Sequence, residues 1–380
     1  MTAATALLLL AAPISNAASG ERVLLLTAPS DARVPVRVAG ADGPAEAQPF
    51  SPGRVVFVAS RASASVEPGK DRSPIENRVA VEATASSARV LVDGALFTEY
   101  RFLDAPRPYF FPVIGPGGRE MTRAFPMRES KDEERDHPHH RSLWFSHGNV
   151  NGVDFWSGTD PKSSPRIVPR QVTGVVSGPV FGEFRAAHDW LDAGGKKLAT
   201  DERVVRVYAL GGAARILEHE ITLRASAGDL VLGDTKEGTM AIRLAESLRL
   251  SGASATGRAL NSRGVAGKDV WGKRAEWIDY AGTIGGLLAG VAAFDHPSNP
   301  RHPTWWHARE YGLVAANAFG VHDFEGKERG TGDLRVEKGG SIRFLHAFYF
   351  HAGGPEAARV AEVWRAWADA NSRAAPEAGR

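Results

Sequence analysis

The sequence predicts an all-β protein built on a large antiparallel β-sandwich, and three observations carry that expectation. Its 41 glycines and 23 prolines punctuate 380 residues at short intervals. Most segments between them alternate apolar and polar residues, as half-buried strands do. A clear helical stripe stands near the C-terminus, as if docked on a sheet. A hydrophobic content of 43% with 24% charged residues supplies an ordinary globular core.

Taken from the N-terminus, Ala3 to Pro13 is an apolar run, followed by the small-x-small pattern Ser15-Asn16-Ala17 and then polar Ser19-Gly20-Glu21. That is the form of an export signal over residues 1–18, although only Met1 and Thr2 stand where a charged region belongs. It implies a periplasmic or secreted protein. Residues 22–85 read as a small N-terminal β domain, with short strands at Arg22–Thr27, Val34–Val38 and Arg54–Val58 between Ala/Gly/Pro/Ser-rich stretches. The main sandwich domain is expected over 86–372.

Within the main domain, Arg203 to Leu210 reads as a strand after the turn Asp192-Ala193-Gly194-Gly195. Ile216 to Arg224 alternates, with Leu217, His219, Ile221 and Leu223 on one face. Met240, Ile242 and Leu244 continue the pattern, and Ser341 to His351 is a long strand after Gly339-Gly340. A C-terminal helix is expected from Pro355, a suitable first helical residue, with Val360, Val363, Trp364 and Trp367 forming its apolar stripe.

Several function classes are excluded early. A net charge of +2 with no Lys/Arg run argues against a nucleic-acid or membrane surface. Zero cysteines exclude thiol catalysis, disulfides and Cys-ligated zinc. After the N-terminal run, no stretch reaches the ~20 apolar residues that span a bilayer.

Chemistry concentrates in three clusters. The block Asp136 to Trp156 holds His137, His139, His140 and His147, four of twelve histidines, beside Arg141, Trp144, Asn151, Asp154 and Trp156. Histidines supply acid–base groups near neutral pH or ligate metals. Interleaved with aromatics they suit a sugar or polyol, whose C–H faces meet rings and whose hydroxyls meet polar groups. The second cluster is Asp234-Thr235-Lys236-Glu237-Gly238, where Glu237 is a carboxylate that could partner the histidines. The third, Asp295 to Gly312, adds His296, His302, Trp306 and His307 on a proline-stiffened loop. His137 and His139 could project together toward a metal, but no His-Glu-x-x-His spacing is present. Neither a metal nor another cofactor is expected to be required.

At these clusters the chain resembles the PmoA-like family, a domain of uncertain function carrying a methane-oxygenase label. The resemblance rests on Arg107 to Val113, Gly115 to Gly118, Met121-Thr122-Arg123, Asp136 to Trp156, Thr235 to Gly238, Trp271 to Ala275, Asp295 to Gly312 and the Trp364/Trp367 helix. It covers about residues 86 to 370. The label implies a membrane oxygenase subunit with several hydrophobic spans, which this chain lacks. The resemblance implies instead a sandwich of the galactose-mutarotase type, a fold that commonly binds carbohydrate.

The expected function is therefore an exported carbohydrate-active enzyme, a lyase, hydrolase or epimerase, working by His/Glu acid–base catalysis. His139 and His140 would transfer protons with Glu237 as their partner. Arg123, Arg141, Lys236 and Asn151 would bind substrate oxygens, and Trp144, Trp156 and Trp306 would supply ring faces. His296 and His307 would close the site, with His137, His147, Asp154 and His302 also lining it. The rivals are a non-catalytic carbohydrate-binding protein and a His-ligated copper or iron oxidase. On any of these readings the three clusters should meet in one place.

Overall fold

The structure, a computed structural model, describes residues 24–29, 36–38, 45–51, 54–59, 77–211 and 213–372. The expected signal segment, residues 1–18, lies outside them. Strands are β1 (Leu24–Pro29), β2 (Val36–Val38), β3 (Ala45–Ser51), β4 (Arg54–Ala59), β5 (Val79–Ala83), β6 (Ser87–Val92), β7 (Ala95–Arg101), β8 (Tyr109–Val113), β9 (Leu143–His147), β10 (Arg166–Val176) and β11 (Phe181–Leu191). They continue with β12 (Lys197–Ala209), β13 (Arg215–Arg224), β14 (Leu230–Leu232), β15 (Gly238–Arg243), β16 (Arg258–Asn261), β17 (Trp277–Ile284), β18 (Leu287–Asp295), β19 (Trp305–Ala308), β20 (Leu313–Asn317), β21 (Leu334–Val336) and β22 (Ser341–Ala352). Among the described residues the α-helices are α1 (Val321–Glu325) and α2 (Val360–Asn371), beside three short 3-10 turns at Pro116–Gly118, Glu246–Leu248 and Gly267–Val270.

Two eight-stranded antiparallel sheets face each other, one ordered β10-β11-β12-β13-β22-β18-β17-β16 and the other β19-β20-β15-β9-β8-β7-β6-β5. This is the large antiparallel sandwich expected. The main core lies between them, where Leu217, Ile221 and Leu223 of β13 and Phe344, Phe348 and Phe350 of β22 meet Leu143 and Phe145 of β9 and Met240 and Ile242 of β15. The alternation seen in Ile216 to Arg224 thus selects the inward face of β13.

The first sheet is covered on its other face as well, which explains why β22 is apolar on both sides. There α2 packs Val360, Val363 and Trp367 against Phe294 and Tyr349. Trp367 Nε1 donates to Glu218 Oε2 at 2.8 Å, tying the helix to the back of β13. The helix begins at Val360 rather than near Pro355, because Arg359 sits in the left-handed region at φ 54° and the preceding residues form a turn.

The N-terminal strands form a separate sheet, β1-β4-β3-β2. It leans on the sandwich through Val56, in one cluster with Phe181 and α2, and through the buried Gln48. Gln48 Oε1 accepts from the amides of Val180 (3.1 Å) and Phe181 (3.0 Å), and its Nε2 donates to the Phe181 carbonyl (3.0 Å). β5 pairs with β6 in the main sheet, so the expected boundary at residue 85 falls inside that hairpin.

In the second sheet, alternation has a functional consequence. Phe145, Met240, Ala316 and Trp306 point into the core. Their neighbours point the other way, and the register aligns Tyr109, Trp144, Ala241, Ala315 and His307 in one row across β8, β9, β15, β20 and β19. Two alanines floor the middle of this row, with aromatic rings at both ends.

Candidate functional site

The site is built where the connection from β8 to β9 folds over that row. Its anchor is the Asp136 carboxylate. Oδ1 accepts from Arg123 Nη1 and from Arg243 Nη2, the latter at 2.8 Å, while Oδ2 bonds His137 Nδ1. Arg123 also donates to the carbonyls of Phe125 (3.1 Å), Glu134 (3.2 Å) and His137 (3.1 Å), so a single buried guanidinium shapes the loop. Burial alone would raise the Asp136 pKa, but Arg243, the His137 hydrogen bond and Arg123 outweigh it and hold it at about 2. Asp136 is ionised at any ordinary pH.

Above this anchor three rings lie nearly parallel. His137 stacks on His140 (4.7 Å, 8°) and on Tyr311 (4.9 Å, 15°). Arg243 covers the Tyr311 ring with its Cζ at 4.7 Å and bonds His140 Nδ1 through Nη1 at 3.1 Å. His140 in turn rests on Trp144 (5.3 Å), and Trp144 on Trp156 (5.0 Å). His139 stands edge-on to His140 at 4.4 Å.

Electrostatics keep most of these imidazoles neutral. His140 is pushed far below the usual histidine range, by burial first and then by His139 and Arg243. His139 falls to about 4, again chiefly through burial, with Arg107 next. Among the described residues, His137 Nε2, His140 Nε2 and the His139 ring have no hydrogen-bond partner.

The third cluster reaches the site through His307 and Tyr311, and the second through its backbone. His307 Nδ1 donates to the Lys236 carbonyl at 2.8 Å, and burial lowers its pKa to about 3. His137 is among the charges acting on His307. Tyr311 has a raised pKa, from burial against the opposing pull of Arg309 and Arg243, with Glu237 and Asp136 adding to the rise. Glu237 is therefore within electrostatic reach of the stacked rings. Its carboxylate pairs with Lys236 Nζ at 3.4 Å, its carbonyl accepts from the Gly148 amide at 2.7 Å and its amide donates to Thr235 Oγ1 at 3.2 Å. No hydrogen bond joins Glu237 to a histidine among the described residues, and the carboxylate that partners a site histidine is Asp136. Lys236 is half-exposed and paired with Glu237.

The structure thus gathers Arg123, His137, His139, His140, Trp144 and Trp156, with His307 at the far end of the row. Several other expected residues lie elsewhere. His147 faces the core, with Nε2 on the Gly233 carbonyl (2.9 Å) and Phe319 beside it. Trp306 faces the core too and bonds the Ala275 carbonyl (3.0 Å), because it is Trp305 and His307 that take the outward positions of β19.

His296 and His302 belong to the opposite sheet. His296 bonds Ser298 (2.8 Å) and the Ala368 carbonyl (3.2 Å), while His302 bonds Asp295 (2.7 Å) and stacks on Trp364. Both secure the third loop to α2. Asn151 is exposed and bridges to the Asp229 carbonyl (2.9 Å) and the Val231 amide (2.6 Å). Asp154 caps the Trp156 and Ser157 amides at 2.7 and 3.0 Å. Trp144 and Trp156 are fully buried, so they support the histidines rather than offer free ring faces.

Sequence reasoning did not single out Asp136, Arg243 or Tyr311 as site residues. Arg243 carried one faint signal, a charge closing the otherwise apolar Met240–Leu244 segment. Among the described residues, no three His, Asp or Glu side chains are arranged to hold a metal ion.

A family model described as "Family of unknown function (DUF6807)" matches residues 87–365. It stands in place of the PmoA-like family suggested by the motifs. Among solved structures the chain is similar to a GalM/aldose epimerase homologue from C. elegans, at 9% identity and TM-score 0.28, over 73% of this chain and 99% of that one. That likeness is too distant to bear on fold or chemistry. No curated protein matches the chain.

Proposed function

This chain belongs to the DUF6807 family of unknown function, and from that premise we propose that it is a carbohydrate-active enzyme working by proton transfer, with His137 as its base. The observation that carries this reading is the Asp136–His137 pair. A carboxylate held ionised by Arg243 and Arg123 accepts the Nδ1–H of His137. That fixes the tautomer with the lone pair on Nε2, the arrangement a general base needs.

His140 has the complementary character. Since guanidinium only donates, the Arg243 bond requires His140 Nδ1 to accept and its proton to sit on Nε2. A neutral imidazole N–H beside a base can stabilise negative charge developing on a substrate oxygen. A base and an N–H donor on stacked rings support abstraction of a proton from a sugar carbon, as a lyase or epimerase requires, or from the water that a hydrolase directs at the anomeric carbon. His139, Tyr311 and His307 would line the remainder of the site. Roles first expected of His139 and Glu237 pass to His137 and Asp136. The covered faces of Trp144 and Trp156 argue against a purely stacking binding module. The apolar run Ala3 to Pro13 supports export, to the periplasm or outside the cell.

Turnover of a panel of glycosides and uronides by purified protein, followed by NMR with and without EDTA, tests the reading. We expect one substrate class to be converted in EDTA, and conversion to fall about 10²–10⁴-fold in His137→Gln. Conversion that survives the substitution, or that disappears with EDTA and returns with added metal, would overturn it.

A further inference from the structure

We propose that the substrate is acidic, a sugar carrying a carboxylate, and that Arg141 receives that group with Arg107 behind it. The inference rests on the carbohydrate reading above and names its substrate class.

Of the guanidiniums around the site, Asp136 accounts for Arg123 and Arg243, and Arg309 lies over the Tyr311 ring at 5.8 Å on the His307 side. Arg107 and Arg141 are left over. Arg107 is 1% exposed. Its Nη atoms donate to the carbonyls of Phe155 (2.9 Å), Gly158 (3.1 Å) and His139 (3.0 Å), its Nε has no partner, and no carboxylate pairs with it among the described residues. Arg141 lies over the Tyr109 ring at 5.5 Å and has neither a hydrogen bond nor an ion pair among the described residues. Arg107 is buried without a counter-charge, and Arg141 is half-buried with its Nε enclosed and unsatisfied. Leaving buried cationic donors unpaired is costly, and an anionic ligand would supply the missing charge.

The surroundings agree. Burial, and then Arg141, pull the Arg107 pKa down to about 9, so the two guanidiniums repel each other in the free protein. Asp154 is the carboxylate that offsets this at Arg107, but its Oδ1 is committed to the Trp156 and Ser157 amides. The unsatisfied buried side-chain atoms in this region are the Nε of Arg107, Arg141 and Arg243, the Nε1 of Trp144 and Trp156, and Ser146 Oγ. Five of these six can only donate. The unsatisfied groups around the site are therefore mostly donors, and with the Arg107 and Arg141 guanidiniums they make its surroundings positive, which suits a ligand bringing oxygen acceptors and negative charge.

Calorimetric titration with methyl β-D-glucuronide, methyl β-D-glucoside and inorganic sulfate tests this in the intact protein, Arg141→Gln and Arg141→Lys. We expect the glucuronide to bind at least about tenfold more tightly than the glucoside. The preference should weaken with salt, vanish in Arg141→Gln and persist in part in Arg141→Lys. Equal affinity for the two glycosides, or a preference unchanged in both variants, would overturn the acidic-substrate inference and leave the carbohydrate reading intact. Binding of sulfate alone, dependent on Arg141, would uphold the anion site and sink the sugar. Absence of binding by all three probes would overturn the inference outright.

Discussion

Arg243 Nη1 lies 3.1 Å from His140 Nδ1, and the same guanidinium reaches Asp136 Oδ1 through Nη2 at 2.8 Å. One side chain thereby sets the proton position on one histidine and the charge of the carboxylate that orients another. Two stacked rings of the same residue type thereby take different roles, one a base and the other an N–H donor.

Arg243→Met should release that constraint while Arg123 still holds Asp136. We expect the His140 ring to populate both tautomers, visible in its ¹⁵N shifts, and kcat to fall about a hundredfold, at the lower end for an acid–base group. A single unchanged tautomer would show that Arg243 does not set it.

Asp136→Asn separates chemistry from stability less cleanly than His137→Gln, because Arg123 and Arg243 would lose their shared counter-charge. Breaking such a pair costs about 3–5 kcal/mol when it is fully buried. With the Asp136 side chain 29% exposed, the loss should fall near or below ~3 kcal/mol. Denaturant unfolding of both variants checks the contrast: His137→Gln should lose activity with far less loss of stability.

Acid should unfold this protein early. Burial is the first cause that lowers His139, His147 and His296 to about 4 and His307 to about 3. Unfolded histidine titrates near 6.5, so below that pH the unfolded chain takes up protons that the folded one refuses. Stability present above pH ~6.5 is then lost progressively toward pH ~4. Asp136, also lowered in the fold, adds its own loss from about pH 4 toward 2. Thermal midpoints measured from pH 8 to 4 should drop below 6.5, and a flat profile down to pH 5 would contradict this account.

Gln48→Ala should destabilise without touching chemistry. It leaves the buried amides of Val180 and Phe181 without their acceptor, a loss on the order of 2 kcal/mol. Turnover per folded molecule should be unchanged, because Gln48 sits behind the sheet opposite the site. A fall in kcat at full folding would tie the N-terminal sheet to catalysis.

His302→Ala makes the matching test on the third loop. Removing the bond to Asp295 and the stack on Trp364 should lower the thermal midpoint, while activity of the folded fraction persists. Loss of activity without loss of stability would return His302 to the site.

Much of the architecture was legible in the sequence by itself. Period-two alternation located β12, β13, β15 and β22, Gly and Pro marked their ends, and a 3.6-residue stripe located α2. The density of His, Arg and Trp between Asp136 and Trp156 marked the segment that folds over the sheet. Alternation states that neighbours face opposite ways, however, and not which way is inward when both faces are covered. That is why Trp306 and His147 were expected in the site and the outward Trp305 was not. Spacing also cannot show which distant side chain completes a buried charge. Arg243 and Asp136 are 107 residues apart and meet only because β15 pairs with β9 beneath the loop. Glu237 was expected as the partner because the histidines need a carboxylate, whereas that role falls to Asp136, the sequence neighbour of His137, whose charge only the tertiary pairing with Arg123 and Arg243 makes legible.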